Sequence, residues 1–207
     1  VLNNPGARRV VSGAVDPVAR LLLRMHVSPD AVTMAGTVGV VIVALTFLPQ
    51  GWFVSGVIIL FVLALSDLLD GTMARMAGSS GPWGNFLDAT LDRISDGAIF
   101  GGLALFGAFH DQPWVTAAAT LALVTGQVTS YAKARAEAVG ATANVGIAER
   151  AERLIIAAVA ALLTGFGVPY ILPAALWLLG GLGLITIGQR ILTVRRQLHV
   201  VPPAGEA

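Results

Sequence analysis

The chain has 207 residues, of which 56% are apolar and only 12% charged, and its formal net charge is +1. A soluble domain of this length carries roughly a quarter charged residues, so an ordinary water-soluble fold is excluded and lipid is the solvent for most of the chain. Continuous helices are then the expected spanning elements, while the absence of cysteine excludes disulfides and thiolate metal sites.

The first 30 residues contain arginines and two breaks but no short apolar core followed by a cleavage signal, so no secretory signal peptide is expected. Within them, "VSGAVDPVARLLLRMHV" mixes arginines with an apolar stripe, the pattern of an amphipathic helix lying along the membrane interface. Six spans follow, approximately over 31–48, 52–72, 85–108, 113–134, 151–167 and 170–190. The first starts after Ser28-Pro29-Asp30, where Ser28 can cap and Pro29 suits the first helical turn. Pro49-Gln50-Gly51, His110-Asp111-Gln112-Pro113 and Gly165-Phe166-Gly167-Val168-Pro169 form tight connections. The expected fold is therefore an all-α polytopic membrane protein, with six transmembrane helices behind an N-terminal interfacial amphipathic helix. Its divisions are an interfacial segment over 1–30, a six-helix transmembrane domain over 31–196 and a disordered tail over 197–207.

All thirteen basic residues fall on one side of this layout. They occupy the N-terminal segment, the 2/3 turn with Arg93 a few turns on, the 4/5 connection and the C-terminal end, and none lies in the 1/2, 3/4 or 5/6 connections. That asymmetry puts both termini, and any chemistry, on the cytoplasmic face of the cell membrane.

Against this apolar background, residues 66 to 96 hold five aspartates. Asp67 and Asp70 lie one turn apart at the end of span 2, and Asp88 and Asp92 one turn apart at the start of span 3. The short turn "MAGSSGPW" makes the two helices antiparallel neighbours, with Asp67 and Asp92 each about 13 Å in from it. Four carboxylates at the edge of a low-dielectric region cannot all stay ionised without compensation. Either they share protons or cations bind; hard divalent cations satisfy such an all-oxygen shell, and a two-metal site for Mg²⁺ or Mn²⁺ is the expected arrangement on Asp67, Asp70, Asp88 and Asp92. His26, His110 and His199 are too scattered to compete for zinc. Asp96 continues the four-residue rhythm one turn deeper, where pairing with an arginine or a polar group is expected. Gly71 and Ala74 leave the helix face between Asp70 and Arg75 nearly bare, so a nucleotide base or ribose can press against it.

These residues resemble the signature of the CDP-alcohol phosphotransferases: D-x2-D-G-x2-A-R, eight residues, then G-x3-D-x3-D. Every fixed position is filled, by Asp67, Asp70, Gly71, Ala74, Arg75, Gly84, Asp88 and Asp92. The resemblance implies displacement at the pyrophosphate of a CDP-linked lipid. Asp67, Asp70 and Asp88 would hold the metals, with Asp92 close to the second ion and acting as the base on the acceptor hydroxyl. Gly71, Ala74 and Arg75 would bear on the cytidine nucleotide, with Asp30 and Thr33 at the head of span 1.

The remaining polar residues narrow the acceptor. "TSYAKARAE" brings Ser130, Lys133 and Arg135 close together, "AERAERL" adds Arg150 and Arg153, and Arg195 and Arg196 end the last helix on the same membrane side. The positive-inside rule explains the side but less well the inward helical ends of Lys133 and Arg153, so an acceptor bearing its own phosphate is expected. The same two stretches resemble the phosphatidylinositol phosphate synthases of actinobacteria, which join CDP-diacylglycerol to inositol 1-phosphate and release CMP. Glycerol 3-phosphate, giving phosphatidylglycerol phosphate, is the alternative acceptor. From another class, a cation-coupled transporter would also use buried carboxylates, but would spread them along a midplane path. Aspartate-rich prenyltransferases would show a DDxxD-like pairing, which is absent. Gly97-x3-Gly101 and Gly180-Gly181-x-Gly183 permit close helix contacts; the resemblance implies a homodimer among membrane lipids, and no nucleic-acid partner is expected.

Overall fold

Eight helices account for nearly all of the residues that the computed structural model describes, which are 5–78, 81–147 and 149–199, with side chains described outside 5–14 and 66–68. They are α1 (Pro5–Arg24), α2 (Pro29–Thr46), α3 (Phe53–Ala64), α4 (Ser66–Ala77), α5 (Pro82–Phe109), α6 (Pro113–Ala138), α7 (Arg150–Gly165) and α8 (Ile171–Leu198). The starts follow local chemistry. The Ser28 side chain accepts a hydrogen bond from the Ala31 N–H at 3.2 Å, with Pro29 in the first turn, as the sequence suggests. Pro113 opens α6 in the same way, and Glu149 with Glu152 forms a reciprocal capping box at the head of α7. At the end of α4, Gly78 takes φ +63, a left-handed conformation that suits glycine.

A helix lies over each of the six expected spans, and α1 precedes them. Among the described residues, three stretches have the length and apolarity to cross a membrane: Pro29–Thr46, Phe53–Ala77 and Ile171–Leu198. The chain is thus an all-α multi-pass membrane protein. Of the helices over the other three expected spans, α7 has 16 residues, short of the ~20 that a bilayer core requires. Charged positions interrupt the first half of α5, and threonines, Gln127 and terminal charges dilute α6.

Two boundaries differ from expectation for physical reasons. The second span is not one even helix: α3 gives way to α4 at Leu65, whose N–H bonds the Val62 carbonyl three residues back at 3.2 Å, a local tightening just before Asp67. The last helix runs beyond the expected span end at residue 190, through Arg195 and Arg196, to Leu198, which puts Arg190 well inside it and ends it within the expected tail. Residues 200–207 of that tail lie outside the described residues, as do residues 1–4.

The chain divides into two compact units, Val1–Phe47 with Ser55–Ile99, and Leu48–Val54 with Phe100–Ala207. In the first, α1 and α2 both pack on α4. Ala19 and Met73 are fully buried there. In the second, α6 and α8 form the principal pair, with α7 also against α8. Bare glycine surfaces allow that closeness: a Cβ on Gly180 would stand 2.7 Å from a Leu121 methyl, and one on Gly183 would strike Thr125. Gly101 and Gly181, by contrast, face open space. Phe53 and Phe106 meet edge to face with centroids 4.7 Å apart.

Candidate active site

In the first unit, the i,i+3 and i,i+4 spacings take helical form. Asp67 and Asp70 lie a turn apart on α4, and Asp88 and Asp92 a turn apart on α5. Asp70 is 9% exposed. Its carboxyl interacts with the Thr33 side chain of α2 and the backbone of Gly71, and it feels the charge of Asp88 on α5. Three helices therefore converge on this carboxylate. Asp88 is exposed and Asp92 half-buried.

A buried carboxylate within electrostatic reach of a second one on another helix calls for a compensating cation, and the donor set suits a hard metal. Among the described residues no three acidic or histidine side chains stand close enough to hold an ion. The Asp67 side chain lies outside the described residues, so the fourth member of the quartet does not enter that count. The signature glycines add a second observation. A Cβ on Gly71 or on Gly84 would meet nothing within 4 Å, so neither glycine packs closely against the described residues. Their bare surfaces leave room for a ligand to approach the backbone.

Around the quartet, Asp30 accepts a hydrogen bond from the indole N–H of Trp83 at 2.9 Å, which ties the head of α2 to the first turn of α5. Thr33 donates its hydroxyl to the Pro29 carbonyl at 3.1 Å. Arg75 is exposed at the end of α4 and donates to the Thr72 hydroxyl at 2.9 Å, leaving much of its guanidinium surface toward solvent. Ala74 is half-buried beside it. Asp96 is 4% exposed and pairs with Arg93 at 3.4 Å, the arginine partner expected from its position.

The basic candidates lie in the second unit. Arg153 is 4% exposed on α7, and its guanidinium lies against Gly126 of α6. The Ser130 hydroxyl donates to the carbonyl of that same Gly126 at 3.2 Å, so two of the expected residues meet at one glycine. Lys133, Arg135, Arg195 and Arg196 are exposed, and no ion pair among the described residues uses them. Arg135, Arg195 and Arg196 stand in the last turns of α6 and α8, where the helix dipole favours positive charge.

Sequence reasoning missed the group that secures the α6–α7 connection. Arg190, 9% exposed, donates from Nε to the Val145 carbonyl at 3.0 Å and from Nη1 to the Thr129 carbonyl at 2.6 Å. Thr186 accepts from the Ile147 N–H at 3.3 Å. Gln197 takes the Thr142 N–H at 2.9 Å and returns its amide to the Thr142 carbonyl at 2.7 Å. A signal existed for Arg190: it is the one charge between Ile171 and Val194 on an otherwise apolar helix, where an ionisable residue needs a reason. Reading it as a terminal positive-inside charge hid that. Trp83 was visible only as an unclaimed position inside the signature.

The family model described as CDP-alcohol phosphatidyltransferase matches residues 26–188. The phosphatidylinositol phosphate synthase of Streptomyces avermitilis is 48% identical over 202 residues, covering 94% of this chain and 83% of that protein. That of Cutibacterium acnes is 46% identical, covering 88% and 92%. A crystal structure of the Mycobacterium tuberculosis phosphatidylinositol phosphate synthase with CDP-DAG bound superposes with a TM-score of 0.84 at 43% identity, covering 96% of this chain and 98% of that one. A second crystal structure of that enzyme, in complex with manganese and citrate, gives 0.82 at 44% identity, covering 92% and 91%. With the complete signature, the matched length and these identities, the chain belongs to the CDP-alcohol phosphatidyltransferase family.

Proposed function

We propose that this enzyme transfers the phosphatidyl group of CDP-diacylglycerol to inositol 1-phosphate, giving phosphatidylinositol phosphate and CMP. The observation that carries the reading is the likeness, across 96% of the chain, to a phosphatidylinositol phosphate synthase crystallised with CDP-DAG. The buried Arg153 beside Ser130, with exposed Lys133 nearby in sequence, supports an acceptor that brings its own phosphate.

Asp92 takes the proton from the acceptor hydroxyl. The acceptor oxygen then bonds to the phosphorus that carries diacylglycerol, and the bond from that phosphorus to the bridging pyrophosphate oxygen breaks, releasing CMP. Two divalent cations, Mg²⁺ or Mn²⁺, would be held by Asp67, Asp70 and Asp88, with Asp92 close to the second, and would supply neutralisation of the pyrophosphate charge and of the departing CMP. A manganese complex of the mycobacterial relative supports a divalent ion of this kind. Gly71, Ala74 and Arg75 receive the nucleotide, joined by Asp30 and Thr33. Lys133, Arg153 and Arg195 or Arg196 hold the acceptor phosphate, with Ser130 and Arg135 adjacent.

In the membrane the chain forms six spans, α3 with α4 making the second, and α1 lies along the interface. The one-sided distribution of its thirteen basic residues supports cytoplasmic termini and a cytoplasmic site. Open surfaces at Gly101 and Gly181 suit the approach of a second copy in a homodimer. The test is CMP release by purified protein with CDP-diacylglycerol and Mg²⁺, offered inositol 1-phosphate, free inositol or glycerol 3-phosphate in parallel. Turnover confined to inositol 1-phosphate is expected, and turnover with glycerol 3-phosphate instead would overturn the acceptor assignment while leaving the family unchanged.

A further inference from the structure

We propose that Gly126 is a positioning residue for acceptor recognition: its missing side chain sets where the Arg153 guanidinium lies. The inference rests on the reading that Arg153 holds the acceptor phosphate. A Cβ built on Gly126 would stand 2.9 Å from Nη1, 3.2 Å from Cζ and 3.4 Å from Nη2 of Arg153. All three distances fall on the guanidinium head and none on the aliphatic stem. The head is therefore seated against the bare Cα of α6, and with Arg153 only 4% exposed it has little freedom to lie elsewhere.

This glycine differs from its neighbours in what it meets. The close glycines of α8, Gly180 and Gly183, receive Leu121 and Thr125 of α6, which is helix–helix packing. Among the glycines whose surroundings are described, Gly126 alone meets an arginine. Its carbonyl also accepts the Ser130 hydroxyl at 3.2 Å, so one residue fixes a cationic and a hydroxyl group that both serve the acceptor.

A methyl at this position meets the far end of a flexible side chain rather than backbone, so the fold can accommodate it by moving the guanidinium. Restoring ordinary contact displaces the head by roughly half an ångström, at the edge of the tolerance of a preorganised site. Phosphate recognition by a planar fork depends on that placement. The Ser130 bond to the Gly126 carbonyl is retained in an alanine variant.

The experiment measures KM for inositol 1-phosphate and for CDP-diacylglycerol, kcat and melting temperature in the full-length wild type, G126A, R153A and G126A/R153A. The expected result for G126A is an acceptor KM raised about tenfold, by analogy with the cost of small misplacements, with the CDP-diacylglycerol KM and the melting temperature near wild type. In the R153A background, G126A adds nothing further. If R153A raises the acceptor KM and G126A does not, or if G126A acts equally with and without the guanidinium, Gly126 has no positioning role and the reading of Arg153 stands. If R153A leaves the acceptor KM unchanged, that reading itself fails. Should G126A not fold, G126A/R153K decides: removing the colliding head should restore folding, and failure of this double variant while R153K folds would overturn the inference.

Discussion

Arg190→Leu is the substitution with the most calculable consequence. Arg190 is buried on α8 and donates two hydrogen bonds to main-chain carbonyls, to Val145 at 3.0 Å and to Thr129 at 2.6 Å. A charged donor contributes about 1.5–3 kcal/mol per bond, so about 3–6 kcal/mol of gross interaction is lost. Leucine removes the desolvation burden of a buried guanidinium, which returns part of that and leaves a net loss of about 2–4 kcal/mol. At about 2–4 °C per kcal/mol for a chain of this size, the melting temperature should fall by roughly 4–16 °C. Arg190→Lys should fall between, because an ammonium cannot reproduce the fork that spans both carbonyls. The readout is thermal unfolding of purified protein in detergent, followed by tryptophan fluorescence and paired with acceptor KM. The connection held by Arg190 leads into Arg150 and Arg153, so KM for inositol 1-phosphate should rise as well. A leucine variant that melts within 1 °C of wild type, by the same proportionality, would refute the anchoring role.

Asp92→Asn should abolish turnover while largely preserving divalent-ion binding, read by calorimetry beside CMP release; full activity would remove the base assignment. Chelation with EDTA should stop CMP release and Mg²⁺ or Mn²⁺ should restore it, and activity indifferent to chelator would argue against the metal site. Trp83→Phe deletes the indole N–H that holds Asp30 and should raise the KM for CDP-diacylglycerol about threefold to tenfold, the worth of roughly one hydrogen bond, with the acceptor KM unchanged. An equal rise in both would assign Trp83 to stability alone.

The helices were legible because lipid leaves the backbone few options: apolar runs of sufficient length must close their own hydrogen bonds, and Pro29, Gly78 and Pro113 mark turns by local geometry. The carboxylate quartet was equally visible, since charge in an apolar chain stands out by composition and its spacing is fixed by the helical period. The legible part of the acceptor site stopped at residue types. Exposed cations at helix ends obey the positive-inside rule and the helix dipole whether or not they bind anything, so sequence alone could not rank Lys133, Arg135, Arg195 and Arg196.

By itself, then, the sequence determined the class of solvent, the helical order, the signature aspartates and, through a pattern of eight fixed residues, the family. All of these depend on composition or on spacing along one chain. Tertiary structure decided what depends on separations of tens of residues: Asp70 meeting Thr33 and Asp88, Trp83 reaching Asp30, and Arg190 fastening Val145 and Thr129. It also separated glycines that pack helices from one that seats an arginine. A glycine is defined by what fills the space beside it, and that space belongs to another helix.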